Sequence, residues 1–277
     1  MNFFLFSLLK KLFLLQHYFF QYLKLINLSF FIDLVNFLRK RKFPCPKILY
    51  SNNNKQLNFH KKKQYTIIDF VEGKIAKKIN FQHCYKLGRT LATLHKKTLN
   101  FEKKKKNNFS LNEWDKLIKR KIKLSKNKSF FLKKEIKYIK ENWPKKLPTG
   151  IIHGDLFPDN VFFKNNNIVG IIDLSNACND FFCYDLSICI NAWCYENRLN
   201  IDKMKNLIKG YNSIRKIKIQ EIKYFNLFLR ASSLRFYLSR LMDSQNKKIP
   251  KKYKKNPKEY LKKLKYFQVN DVNNYFL

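Results

Sequence analysis

The stretch Ile151-Ile152-His153-Gly154-Asp155-Leu156-Phe157-Pro158-Asp159-Asn160-Val161-Phe162-Phe163 decides the fold, together with its continuation through 164–167 into Ile168-Val169-Gly170-Ile171-Ile172-Asp173. Two apolar runs, 160–163 and 168–172, flank a short Asn-rich connection. That pattern predicts a β-hairpin. Asp155 lies in the loop entering the hairpin and Asp173 closes its second strand. A hairpin folds its two ends together, so Asp155, Asn160 and Asp173 are expected on one side of it.

Such a cluster has a chemical use. Phosphoryl transfer from ATP needs metal ions on the phosphates, an aligned hydroxyl and an acceptor for its proton. A hard Mg²⁺ ion takes oxygen ligands, typically one or two carboxylates besides phosphate oxygens. Asn160 and Asp173 are suitable oxygen donors, and Asp155 is placed to accept the hydroxyl proton. The bland reading is a polar turn whose carboxylates cap backbone N–H groups. His-x-Asp alone is common. His-Gly-Asp with Asn five residues after the Asp, strands around it and a second Asp at a strand end is far more specific, and follows the catalytic-loop logic of protein kinases.

Outward from this stretch, residues 65–71 are β-branched and apolar and predict a strand, which Glu72-Gly73 breaks. Before it, a strand region leads to a helix near 25–40, stopped by Phe43-Pro44-Cys45-Pro46. Cys84, Leu87, Leu91 and Leu94 recur at helical spacing over 81–97. His95 at the end of that helix reads as a core or capping histidine. The Lys-rich stretches of 101–128, including 103–106, read as a solvated loop and helix face. Further helices are expected at 133–142, 221–243 and 258–267.

The segment resembles the aminoglycoside-phosphotransferase-like kinases, and within them is most similar to the homoserine kinases of that fold. The resembling residues continue through Asp173-Leu174-Ser175-Asn176-Ala177-Cys178-Asn179-Asp180 and Tyr184-Asp185 to Asn191-Ala192-Trp193-Cys194. Leu229-Arg230-Ala231-Ser232-Ser233-Leu234-Arg235 is similar to the family's late helix, and Asn256-Pro257-Lys258-Glu259-Tyr260 to its tail. The resemblance implies an α+β, two-lobed protein-kinase-like fold. Its small, shortened N-terminal lobe contains β-structure and spans 1–72; its larger, mostly helical C-terminal lobe spans 73–277.

The resemblance further implies transfer of the ATP γ-phosphoryl group to the side-chain hydroxyl of L-homoserine, with Mg²⁺. Asp155 would be the catalytic base and Asn160 and Asp173 the metal and nucleotide ligands. His153 would brace the loop, and Asp185 would hold its backbone N–H groups. Asn179, Asn191 and Trp193 line the acceptor pocket or serve as packing supports. Arg230 or Arg235 pairs with the acceptor's carboxylate through its fork, or forms a structural ion pair. The first lobe departs from the family: the chain has no Gly-x-Gly-x-x-Gly, and no lysine clearly follows a strand in the nucleotide-anchoring manner. Other small-alcohol kinases of the superfamily (choline- or aminoglycoside-type) and a degenerate, non-catalytic relative are the alternatives.

Composition excludes other classes. The formal charge is +39, with 58 basic residues against 19 acidic. Nine of the basic residues are Arg and 49 are Lys. A phosphate-binding surface favours Arg, so a Lys excess spread over every segment reads as surface drift in an AT-rich genome, with no nucleic-acid partner. At 45% hydrophobic and 16% aromatic residues the chain has ample material for a core and is no disordered polycation. Six cysteines without a Cys-x-x-Cys pair read as buried, reduced thiols in a cytoplasmic protein. Residues 12–38 are rich in Phe and Leu, yet Gln16, His17, Gln21, Lys24 and Asp33 interrupt them, so no spanning helix and no stable membrane association is expected.

Overall fold

A computed structural model of the chain describes residues 2–8, 11–17, 28–61 and 63–276. The architecture is α+β. The first part holds an antiparallel sheet built from β1 (Asn2–Leu8), β2 (Lys11–His17), β3 (Ile48–Leu49), β4 (Asn58–His60) and β5 (Lys63–Asp69). Its order is β1-β2-β5-β3, with β4 also on β5. Helix α1 (Leu28–Lys40) is amphipathic and buries Leu28, Phe31, Leu34, Val35 and Leu38 along one face. The beginning of the helix expected near 25–40 lies outside the described residues. Phe43 and Cys45 are buried in the stop that follows it.

From β5 the chain runs extended through 70–80. Mutual backbone hydrogen bonds between Lys74 and Phe163, and an ion pair between Glu72 and Lys164, tie it to the hairpin. Helix α2 (Phe81–Lys97) follows with the boundaries that its periodicity predicts, and Asn80 and His83 close a reciprocal cap at its start. Next come α3 (Leu111–Lys121), α4 (Lys126–Glu141) and β6 (Thr149–Ile152). The predicted hairpin is β7 (Val161–Lys164) and β8 (Asn167–Ile171), joined by Asn165 and Asn166, both at positive φ, as a two-residue turn of the primed type requires.

Strand β9 (Cys178–Phe181) pairs antiparallel with β6 and leads into α5 (Phe182–Trp193). Nearly every residue of α5 is buried, which makes it the central helix of the larger part. Helices α6 (Ile201–Asn212), α7 (Ile219–Ile222), α8 (Phe225–Gln245) and α9 (Pro257–Val269) complete the fold. Helices α2 and α6 pack at glycine: a Cβ on Gly88 would stand 2.0 Å from the Leu207 carbonyl, and one on Gly210 2.0 Å from that of Tyr85.

One expectation is corrected here. The helix expected over 221–243 is two helices, α7 and α8. Glu221 is fully buried and takes both Arg215 Nη2 and the Lys218 N–H, which fixes 218–222 as a separate turn before the chain re-enters a helix at Phe225. All six cysteines are buried and free. Among the described residues, no helix is long and apolar enough to cross a membrane.

Candidate active site

The loop between β6 and β7 is fixed at almost every residue. Gly154 sits at φ +73°, where a Cβ would stand 3.0 Å from the Asn176 carbonyl, so the turn between His153 and Asp155 needs glycine. Asp185, in the first turn of α5 and fully buried, accepts the His153 N–H at 2.7 Å on one oxygen and the Gly154 N–H at 2.9 Å on the other. His153 donates from Nε2 to the Ile172 carbonyl (3.1 Å), and its Nδ1 accepts the Asp155 N–H (3.2 Å). The ring thus ties the loop to the far end of the hairpin. Trp193 Nε1 donates to the Leu156 carbonyl (2.8 Å), and an Arg235 N–H donates to that of Gly154.

Asp185 is held in turn. His95 Nε2 donates to it at 3.1 Å, and His95 Nδ1 accepts the Tyr211 hydroxyl at 2.8 Å. Burial drives the His95 pKa below its ordinary value, against the pull of Asp185. Asp185 lies below the usual carboxylate range: burial opposes this, but His95 and the loop N–H groups overcome it. The pair is therefore a neutral imidazole donating to an anion.

Asp155, Asn160 and Asp173 converge as the hairpin predicts. Asn160 Nδ2 donates to the Asp155 carbonyl (2.8 Å), and the Asn160 carbonyl accepts the Ile172 N–H (3.0 Å). Asn176 Nδ2 lies 3.3 Å from Asp155 Oδ2 and orients that carboxylate. Asp173 is in the left-handed region at φ 61° and ψ 51°, a conformation Asp tolerates at some cost. Ser175 Oγ donates to its Oδ1. Burial first, and then the neighbouring Asp155 carboxylate, push the Asp173 carboxyl above the usual range. A buried carboxylate raised by a neighbouring one fits a divalent cation at Asp173, and Asn160 adds a neutral oxygen donor.

Beside Asp173 a narrow apolar cleft runs between α1 and the hairpin, lined by Phe31, Val35, Pro46, Ile68, Ile171 and Leu174. It adjoins a second recess, lined by Pro46, Ile68, Phe70, Val71, Phe162 and Ile172. The slot is mostly apolar, with Phe70 and Val71 of the stretch after β5 and Asp173 among its lining residues.

Other residues singled out from sequence go elsewhere. Asn191 is fully buried and donates to the Leu229 carbonyl and to the Ser232 and Ser233 hydroxyls, so it joins α5 to α8. Trp193 is 1% exposed and supports the loop from behind. Arg230 makes a two-point ion pair with buried Glu135 (2.8 and 2.7 Å) and offers no fork to a ligand. Arg235 lies between the Phe109 and Phe236 rings (4.7 and 4.2 Å) beside the loop. Asn179 accepts the Lys105 N–H and donates its own N–H to the Lys105 carbonyl, both at 2.8 Å.

That last contact overturns the solvated reading for Lys105, while Lys103, Lys104 and Lys106 are exposed as expected. Lys105 is half-buried, and its Nζ donates to the Ser175 carbonyl at 2.7 Å, two residues beyond Asp173. Lys103 pairs with Asp33 of α1. Sequence reasoning also gave no role to Asn176, three residues beyond the decisive stretch.

Comparison with known proteins gives the same picture. The model of the phosphotransferase enzyme family matches residues 9–214. A homoserine kinase of Bartonella henselae is 40% identical over 223 residues, covering 78% of this chain and 70% of that protein. One from Rhizobium meliloti is 40% identical, covering 78% and 68%. Among solved structures, an amicoumacin kinase in complex with AMP-PNP, Ca²⁺ and its antibiotic superposes with a TM-score of 0.73 at 13% identity, over 93% of this chain and 81% of that one. A choline kinase from Streptococcus pneumoniae does so with 0.71 at 12%, over 97% and 90%.

Proposed function

The chain belongs to the phosphotransferase enzyme family, and from that premise we propose that it is a homoserine kinase, moving the γ-phosphoryl group of ATP to the side-chain hydroxyl of L-homoserine. The observation that carries the reading is the meeting of Asp155, Asn160 and Asp173, the last of which lines an apolar cleft between α1 and the hairpin. Around them stands a chain about 40% identical to proteins of that activity. The lobes divide near residue 72, where the extended stretch after β5 begins. The product, O-phospho-L-homoserine, serves threonine synthesis, and the reaction belongs to the cytoplasm.

Each residue has a task. The purine lies in the recess between Ile68 and Phe162–Ile172, with the backbone after Asp69 on its rim. Asp173 and Asn160 are the residues that would hold Mg²⁺, which when bound neutralises charge on the phosphates. Asp155, steered by Asn176, accepts the acceptor's hydroxyl proton as its oxygen bonds to Pγ and the bond from Pγ to the bridging oxygen breaks, releasing ADP. His153 and Asp185 keep the loop in register and touch no substrate.

Incubation of the purified chain with Mg-ATP and a panel of L-homoserine, choline and an aminoglycoside tests the reading. L-homoserine is the expected acceptor. Asp155→Asn is expected to cut kcat by about 10²–10⁴-fold, the usual worth of a positioned base, with nucleotide affinity retained. Turnover of choline or the aminoglycoside without homoserine overturns the acceptor assignment, and near-normal kcat in Asp155→Asn overturns the role of that residue.

A further inference from the structure

Residues 101–109 run beside β9, and they bring together two charged groups, Lys105 and Asp180, that form no ion pair among the described residues, although Asp173 acts at longer range on the first and Arg235 on the second. The strap is held by the reciprocal pair between Lys105 and Asn179, and by Asn107 Nδ2 donating to Asp180 Oδ2 at 2.6 Å. Lys105 Nζ rests on the Ser175 carbonyl, with the Phe30 ring 5.4 Å away. No acidic side chain among the described residues forms an ion pair with Lys105. Asp180 is the mirror case. Its partners are Asn107 and the Phe181 N–H, and no cation among the described residues forms an ion pair with it. Burial accordingly pushes its carboxyl above the usual range.

Two neighbouring polar atoms are unsatisfied as well. The Tyr184 hydroxyl and Arg235 Nε are fully shielded from solvent and have no hydrogen-bond partner. Arg235 and Asp180 both act electrostatically on Tyr184, so these groups share one neighbourhood. It adjoins Asp155, since Arg235 also grips the Gly154 carbonyl. Folded chains normally satisfy buried polar groups, and those left open at a functional centre wait for a ligand.

We propose that Lys105 and Asp180 are the acceptor-recognition pair of this enzyme, Lys105 binding the carboxylate and Asp180 the ammonium of a zwitterionic amino acid whose hydroxyl is presented to Asp155. This rests on the kinase reading and adds the residues that read the two charges of its amino-acid acceptor. It also explains why neither late-helix arginine is needed for the carboxylate, since Arg230 is committed to Glu135 and Arg235 to the loop.

The test uses three acceptors that differ in one charge each: L-homoserine, 3-aminopropan-1-ol without the carboxylate, and 4-hydroxybutanoate without the ammonium. Wild type is expected to prefer L-homoserine by about 10²-fold or more in kcat/KM over either, because a missing partner strands a charge in the site. In Lys105→Met the ratio for L-homoserine over 3-aminopropan-1-ol is expected to fall by about 10–100-fold; in Asp180→Asn the ratio over 4-hydroxybutanoate falls likewise. Unchanged ratios, with all acceptors slowed alike, overturn the proposal and assign the residues to nucleotide binding or to folding. Should either variant fail to fold, the wild-type ratios still decide, as equal use of the truncated acceptors refutes the pair. Calorimetry of the wild type with L-homoserine separates the two readings. Binding without turnover supports the pair and sinks the kinase assignment, whereas turnover of all three acceptors alike sinks the pair and leaves the kinase.

Discussion

Replacing Asp185 by Asn should damage both stability and turnover, although the residue touches no substrate. The carboxylate is fully buried and accepts three hydrogen bonds, from His95, His153 and Gly154. An amide is nearly isosteric, but it brings an N–H₂ group toward donors and removes the charge. A hydrogen bond to a charged group contributes roughly 1.5–3 kcal/mol, and the three share one acceptor, so their losses do not simply add. Breaking a buried charged network costs about 3–5 kcal/mol. Unfolding entropy of about 2.1 cal/mol/K per residue makes that about 5–8 °C in Tm for a chain of this length. Loss of the anion frees the His153 and Gly154 N–H groups, and Asp155 moves with them. A misplacement of about 1 Å at a reacting group costs about 10²-fold in rate. Thermal unfolding followed by circular dichroism, beside a coupled assay of ADP release with L-homoserine, reads both effects. A Tm within 2 °C of wild type together with unchanged kcat would refute the view that Asp185 builds the loop.

Asp173→Ala should weaken Mg-ATP binding by about tenfold or more, read by calorimetry; unchanged affinity would remove Asp173 from the metal site. Arg230→Met should strand Glu135, which is 3% exposed, and cost about 3–5 kcal/mol of stability by denaturant titration. Its KM for the acceptor should stay within about twofold, and a large rise in KM would return Arg230 to the acceptor pocket. His95 makes stability depend on pH. Its folded pKa is lowered by burial, so below about 6.5 the unfolded chain binds a proton that the native one refuses, and stability falls as pH falls, by up to about 1.4 kcal/mol per unit, until the folded pKa is reached. Subtracting the curve of His95→Gln from that of wild type should isolate this slope, and parallel curves would mean that burial leaves the His95 pKa unshifted.

The parts legible in the sequence are those fixed by neighbours in the chain. Helix α2 ends where its 3.6-residue period ends, and the hairpin follows from two apolar runs and an Asn turn. Since a hairpin is local, the meeting of Asp155, Asn160 and Asp173 came with it. What stayed hidden depends on distant partners. Lys105 looks like any of 49 lysines until Asn179, far along the chain, turns it inward. Asn191 falls in a motif either way, and periodicity does not distinguish an inward face toward a ligand from one toward α8. The division between α7 and α8 arises because Glu221 finds Arg215, a pairing that neither helix period announces.

The buried charges of this chain sort into two kinds, and the sorting separates scaffold from site. Asp185 is surrounded by N–H donors and a neutral imidazole, Glu221 by Arg215, and Glu135 by Arg230 and Gln268. Each is compensated within the protein, as the cost of burying a charge demands. Asp173 and Asp180 are not. Both have their carboxyls raised by burial, and Asp173 faces a further carboxylate in Asp155. The two lie where the hairpin, the strap and β9 meet, and they differ in what would close them: a hard cation held by Asp173 and Asn160, an organic ammonium at Asp180. A single magnesium ion therefore cannot satisfy the whole cluster. Magnesium with nucleotide should raise Tm by one increment, and L-homoserine added afterwards should raise it by a second that Asp180→Asn lacks.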